Sequence, residues 1–234
     1  MENGVPPHKN IKEIHNMTRL IFIRHGQSEA NAQNRFAGQT DVPLTELGKA
    51  QAKCAAEYIT KREKIDKIYS SDLQRAHDTA LPTAKLTGLP INDVEGLREI
   101  CAGVWEGRLV TEIIVEYEKE FNVWRNDFSN ARLPGGESVQ EVYERVIPFV
   151  KQIAKENDGL TLLLASHATP IRAVECNSRG WGWERMADVP FVNNTAISIV
   201  EYDEKTDTLS LIERDITEHL DESSMSYVPK GLKN

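Results

Sequence analysis

Cysteine is scarce. Three residues, Cys54, Cys101 and Cys176, lie far apart in a 234-residue chain, odd in number and without CxxC or Cys/His ligand spacing. No disulfide framework or zinc site is indicated, and a reducing cytoplasm is the simpler setting. Long apolar runs are also lacking: none approaches a membrane span, and the N-terminus has no apolar secretory core, so a soluble, intracellular protein is expected. Nor is there an excess of positive charge. Lys and Arg number 28 against 36 Asp and Glu, for a formal net charge of −8 and a pI near 5.4. A general binder of nucleic acid or anionic membrane would need a long basic run to offset that repulsion, and the chain has none. An anionic ligand must be held by a local positive cluster.

What is present suffices for a sizeable core: 40% hydrophobic and 27% charged residues, the balance of a common single α/β domain. Residues Met1 to Asn16 (MENGVPPHKNIKEIHN) are polar, contain Pro6-Pro7, and read as a loose extension in which His8 and His15 are solvated rather than metal ligands. The domain is then expected over residues 17–234, with Met17 as an alternative start. Arg19 to Ile23 reads as a fully buried strand, Thr45 as the cap of a helix with Leu47, Ala50, Cys54 and Tyr58 along one face, and Lys67 to Tyr69 as a second strand. A helix follows over LQRAHDTALPTAKLTG, with Pro82 expected to kink or end it. Asn92 to Gly136 reads as irregular, apart from an amphipathic helix around Thr111 to Glu120. Ser138 caps a long helix whose Val139, Val142, Val146, Phe149, Val150 and Ile153 form a core stripe. Thr161 to Ala165 is a third buried strand, Ala168 to Arg179 returns to helix, and AISIVEYDEKTDTLSLIERD alternates as a hairpin does. Together these predict an α/β three-layer sandwich, its sheet mainly parallel with an antiparallel edge.

In such sheets ligands bind at the carboxyl ends of the strands. Three strand ends here carry reactive groups: Arg24-His25, in LIFIRHGQSEAN, then Ser70 to Arg75, then Ser166-His167. Arginine forks match phosphate oxygens, and a helix N-terminus adds N–H donors. A neutral imidazole placed among them can attack phosphorus to give a phosphohistidine that water then hydrolyses. Fixed cations stabilise the transferring group, so neither a metal nor another cofactor is expected. Arg75 has alternative partners in Asp72 and Asp78, His77 reads as a helix-surface residue, and Cys101 and Cys176 as small packing residues.

RHGQSEAN, SSDLQRAHDTA, LREICAGVWEGR, PGGES and SHATPIRAV, in that order, resemble the histidine phosphatase superfamily in its phosphoglycerate-mutase-like branch, over Thr18 to about Asp203. The resemblance implies a phosphoglycerate mutase-like fold with no required metal, and a phosphatase of the histidine acid type. It makes His25 the phosphorylated nucleophile and places Arg24, Asn31, Arg75 and His167 around the phosphate, with His167 donating to its equatorial oxygens. It makes Glu99 the acid that protonates the leaving alcohol and then the base that activates water, a role that calls for a burial-raised pKa. Gly38 falls where substrate approaches the backbone. Two positions depart from the family pattern: Gln27 stands for an acidic residue and Ala168 for a glycine, the latter expected to cause a small local shift. Glu137 either orients its loop or is a helix-start carboxylate favoured by the dipole.

Mutases of this family carry a longer insertion that binds the substrate carboxylate and excludes water. Here a short segment separates Gly107 from Pro134, so hydrolysis of a phosphomonoester is expected, with a phosphoglycerate mutase or a noncatalytic phosphate-binding module as alternatives. A metal hydrolase built on His25 and His167 lacks the carboxylate-rich ligand set that hard metals prefer. Specificity is expected from Trp105, from the helix at Thr111 to Asp127, and from Trp181 and Trp183, which either form an apolar rim or simply pack. The expected partner is a small-molecule phosphomonoester, with neither nucleic acid nor membrane. A phosphosugar, a phosphoglycerate-like acid and a nucleotide-derived phosphate stay open, as does the oligomeric state, a homodimer included.

Overall fold

The computed structural model describes residues 17–221. The extension read over Met1 to Asn16, with His8 and His15, lies outside the described residues. Six strands form one sheet: β1 (Thr18–Arg24), β2 (Lys67–Ser71), β3 (Ile91–Val94), β4 (Thr161–Ser166), β5 (Ile197–Asp203) and β6 (Thr208–Ile216), in the order β3-β2-β4-β1-β5-β6. The β2–β3, β2–β4 and β1–β4 pairs are parallel, whereas β1–β5 and β5–β6 are antiparallel. The expected mixed sheet is therefore present, with the antiparallel part beginning at β1.

Alternate residues of the central strands feed two cores, as the two-residue period of a strand requires. Ile21, Ile23, Leu163 and Ala165 pack on Ala55, Ile59, Ala76 and Ala80 from α2 (Glu46–Arg62) and α3 (Gln74–Thr87), which follow the short α1 (Glu29–Ala32). Leu20, Phe22, Leu162 and Leu164 face the other layer, built by α6 (Val139–Glu156) and α7 (Ala168–Asn177). In the chain between α3 and α6 come α4 (Val110–Glu116) and α5 (Glu118–Asn126), of which α5 brings aromatic residues to the second core. Both expected caps form: Thr45 Oγ1 accepts from Gly48 N at 3.0 Å, and Ser138 Oγ accepts from Glu141 N at 3.1 Å. No helix among the described residues is long and apolar enough to cross a membrane.

Three expectations need correction, and a fourth, at Pro82, is narrowed. Helix α2 buries Gly48, Gln51, Ala52, Ala55, Ala56 and Ile59, while Ala50 and Cys54 of the expected face are exposed. The close approach of Gly48 to Gln27 sets that phase: a Cβ at Gly48 would stand 2.1 Å from the Gln27 carbonyl oxygen. Pro82 lies inside α3 without ending it. The segment read as irregular from Asn92 opens within β3, an edge strand of sequence INDV whose two central residues are exposed, so it shows no apolar run. The single helix expected at Thr111 to Glu120 is two, broken at Tyr117, where φ is −125° and ψ 42°.

Candidate active site

Strand β1 delivers Arg24 and His25 to its carboxyl end, where His25 N donates to Ser166 O of the neighbouring β4 at 3.0 Å. His25 is 4% exposed, and its Nδ1 donates to the Gly26 carbonyl at 2.8 Å. That bond selects the tautomer whose Nε2 carries the free lone pair. Burial first, then the Arg75 and Arg24 cations, hold the imidazole well below its ordinary pKa, which favours the neutral ring. The His167 ring, at the end of β4, lies with its centroid 5.1 Å from that of His25. Its pKa is lowered in the same way, by burial and then by Arg75, His25 and Arg24. Its Nε2 meets Ser71 Oγ, at the end of β2, at 2.8 Å, while its buried Nδ1 has no protein partner.

The two arginines are steered by main-chain oxygens. Arg24 Nη1 donates to Val192 O at 2.6 Å; Arg75 Nη1 and Nη2 donate to Thr40 O at 2.9 Å and Gly38 O at 2.7 Å. The Nε of each is buried without a protein partner. Burial pushes the Arg75 pKa down to about 10, which leaves it a cation at neutral pH. Asp72 does not compete for Arg75, because it is paired with Arg98 (Nε to Oδ1, 2.7 Å). Gly38 has φ +53°, and a Cβ there would come within 2.7 Å of Ala102 Cβ and Glu106 Oε1, so glycine is required by both conformation and space.

Glu99 accepts three main-chain hydrogen bonds, from Ile100 N (3.0 Å) and Thr169 N (3.1 Å) to Oε1 and from Ala168 N (3.2 Å) to Oε2. Glu99 itself is partly buried. Ala168 starts α7 in helical geometry, so the departure from glycine leaves the loop-to-helix junction intact. Glu137 accepts from Cys101 N at 2.8 Å and from Arg145 Nε at 2.7 Å; it orients its neighbouring loop, and the helix start is capped by Ser138 instead.

Arg24, His25, Asn31, Gly38, Arg75 and Glu99 line one cavity of about 910 Å³, including its open mouth; His167 is not among the lining residues, though its ring lies 5.1 Å from that of His25. The expected specificity residues are placed differently. Trp105 is fully buried under the wall, and Trp181 and Trp183 are not among the lining residues; Trp181 packs against the Arg185 guanidinium at 3.7 Å. The rim is Phe36, Trp124 and Phe191, of which Trp124 comes from the segment expected to contribute. His77 pairs with Asp93 at 2.8 Å on the surface, and buried Cys176 has its thiol pKa pushed up to about 11 by burial. No group of three or more His, Cys, Asp or Glu that could hold a metal ion occurs among the described residues.

Sequence reasoning missed two polar residues. Glu106, inside the quoted GVWEGR stretch, accepts from Gln39 N and Ala102 N at 3.0 Å each and from Thr40 Oγ1 at 3.2 Å. It thus fixes the loop whose carbonyls steer Arg75. Asn194, in the approach to β5, donates to the His25 carbonyl at 2.9 Å, and nothing in its NNT context signals this.

Known proteins resemble this chain in sequence and in fold. A sequence model of the histidine phosphatase superfamily (branch 1) matches residues 20–215. Phosphoserine phosphatase 1 of Hydrogenobacter thermophilus is 34% identical over 206 residues, covering 88% of this chain and 96% of that protein. The metal-independent phosphoserine phosphatase of Arabidopsis thaliana is 32% identical over 168 residues, 71% of each chain. The solved structure of a mycobacterial glucosyl-3-phosphoglycerate phosphatase complexed with VO3 matches with a TM-score of 0.77 at 29% identity, covering 85% of this chain and 99% of that one. The chain belongs to the histidine phosphatase superfamily, branch 1, with its phosphoglycerate mutase-like fold. Its activity is that of a phosphatase.

Proposed function

We propose that the chain hydrolyses a small organic phosphomonoester in two steps through His25. In the first, Nε2 of His25 attacks phosphorus and the P–O bond to the alcohol breaks, with Glu99 giving its proton to the leaving oxygen. In the second, Glu99 takes a proton from water, which attacks phosphorus, releases phosphate and frees the imidazole. Arg24, Arg75, Asn31 and His167 hold the phosphoryl oxygens throughout, donors fixed before the substrate arrives. The observation that carries this reading is that Arg24 and Arg75 line one cavity with His25, each with a buried Nε that has no protein partner, while the His167 ring, its Nδ1 likewise unpartnered, lies 5.1 Å from that of His25.

Hydrolysis is favoured over transfer by the short Gly107 to Pro134 segment, which leaves the cavity open to water. The relatives named for phosphoserine and glucosyl-3-phosphoglycerate support a small phosphomonoester, and the aromatic rim supports one with an apolar portion. The finer placement as a histidine acid-type enzyme, as one catalytic domain from residue 17 onward in a reducing cytoplasm, belongs to the same proposal. Purified protein is expected to hydrolyse p-nitrophenyl phosphate in excess EDTA from acid to neutral pH, and His25→Ala to lose that turnover. Activity abolished by the chelator, or retained by His25→Ala, would overturn the mechanism.

A further inference from the structure

Asn194 is 5% exposed and lines the cavity beside the reacting groups. Its Nδ2 uses one hydrogen on the His25 carbonyl at 2.9 Å and the other on Asn31 Oδ1 at 3.3 Å. Asn31 Oδ1 also accepts from Ser28 N at 3.2 Å, the reciprocal bond of the α1 cap. An amide oxygen has two lone pairs, so these two donors occupy it fully. The Asn31 NH2 group, which has no partner among the described residues, is then the part of this lining residue left for the cavity. That orientation decides its chemistry: NH2 donates to a phosphoryl oxygen, whereas the flipped amide would set an oxygen against it.

The segment that carries Asn194 is itself braced. Thr195 is fully buried at φ +54°, a left-handed conformation costly for a β-branched residue. It is held there by its N–H on the Arg24 carbonyl at 3.0 Å and by its Oγ1 on Asn194 O at 2.8 Å. The same connection supplies Val192 O to the Arg24 guanidinium. A strained turn outside every recognised motif thus grips the main chain of both Arg24 and His25.

We propose that Asn194 is a positioning residue that fixes the Asn31 amide with its NH2 toward the transferring phosphoryl group and ties it to the main chain of the nucleophile. The proposal rests on reading the His25 pocket as the site of phosphoryl transfer. Its test compares Asn194→Asp, Asn194→Ala, Asn31→Ala, the Asn31→Ala/Asn194→Ala double variant and His25→Ala in the full chain. The readouts are kcat/KM on p-nitrophenyl phosphate, calorimetric binding of inorganic phosphate, and Tm. Asn194→Asp keeps the shape but sets a carboxylate oxygen against Asn31 Oδ1, so it should lower kcat/KM about thirtyfold and weaken phosphate binding about tenfold. Asn194→Ala should cost about tenfold in kcat/KM, and the double variant should lie within about twofold of Asn31→Ala, because one residue acts through the other. Should Asn194→Asp lose its fold, Asn194→Ala and the double variant decide. Losses that multiply in the double variant, or phosphate binding undiminished by Asn194→Ala, overturn the proposal alone. Turnover that survives His25→Ala overturns the site reading and this proposal with it.

Discussion

At the floor of the cavity each reactive side chain is steered by main-chain atoms: His25 by the Gly26 carbonyl, Arg24 by Val192, Arg75 by Gly38 and Thr40, and Glu99 by three N–H groups. Around the rim no such steering exists. Phe36 meets Trp124 edge-on at 5.3 Å, Trp124 meets Phe128 at 4.8 Å, and Phe128 meets Phe191 at 5.4 Å, an arc held by ring contacts. Hydrogen bonds to a rigid backbone fix a group to a fraction of an ångström, which stabilisation of a transition state demands. Ring contacts are individually weak and tolerate shifts, which suffices for holding an apolar group. The floor should therefore govern kcat and the rim KM.

The largest effect should come from removing a floor cation. Arg75→Met keeps the aliphatic stem but takes away the guanidinium, and kcat is expected to fall about a hundredfold to a thousandfold, as for loss of one preorganised charge-stabilising donor. Tm should move much less, since among the described residues the Arg75 guanidinium hydrogen-bonds main-chain oxygens and no carboxylate, and its Nε is unpartnered. Steady-state kinetics on p-nitrophenyl phosphate check this, and a change confined to KM would break the division between floor and rim.

Acidification tests the floor without mutation. Both imidazoles have pKa values well below the ordinary one, chiefly through burial and then through Arg75. The unfolded chain takes up protons on these histidines once the pH drops below about 6.5, while the native state refuses them. They therefore cost no stability above that pH and an increasing amount as it falls toward their folded values. NMR of labelled imidazoles should find both rings neutral at about pH 6, with Tm decreasing on acidification. Protonation of either ring near its ordinary value would show that the floor is wetter than the structure has it.

This contrast also explains what the sequence made legible. The floor could be read because its groups directly follow apolar strands, in Ile23-Arg24-His25 and Ala165-Ser166-His167, where chain order and the sheet end coincide. Thr45 and Ser138 were readable as caps because their partners lie three residues on. Glu106 and Asn194 were not, because their effects pass through main-chain atoms far away in sequence: Asn194 and His25 are 169 positions apart. Edge strand β3 is four residues long and exposes its central Asn92 and Asp93, leaving only Ile91 and Val94 to pack and hence no apolar run, and the phase of α2 is obscured because alanines at 50, 52, 55 and 56 give no contrast between faces. The rim failed for a similar reason. Tryptophans at 105, 124, 181 and 183 are equivalent by composition, and tertiary packing alone puts Trp124 at the cavity.

The smallest effect should come from the rim. Phe191 is backed by Arg172, whose guanidinium lies 4.3 Å from its ring centroid and 4.0 Å from that of Phe128. Arg172 is 1% exposed and its pKa is lowered to about 10 by burial, so Phe191 rests on a buried cation that cannot follow it outward without repacking. Truncation by Phe191→Ala removes the cavity face of the ring. For p-nitrophenyl phosphate, KM is then expected to rise about threefold to tenfold, the worth of about 0.5–1.5 kcal/mol of ring contact, with kcat within about twofold. For phosphoserine, which offers no ring to Phe191, KM should hardly move. An equal loss for both substrates, or a loss in kcat, would mean that Phe191 acts on the floor, through Val192 and its hold on Arg24, and that the two regions are one mechanical unit.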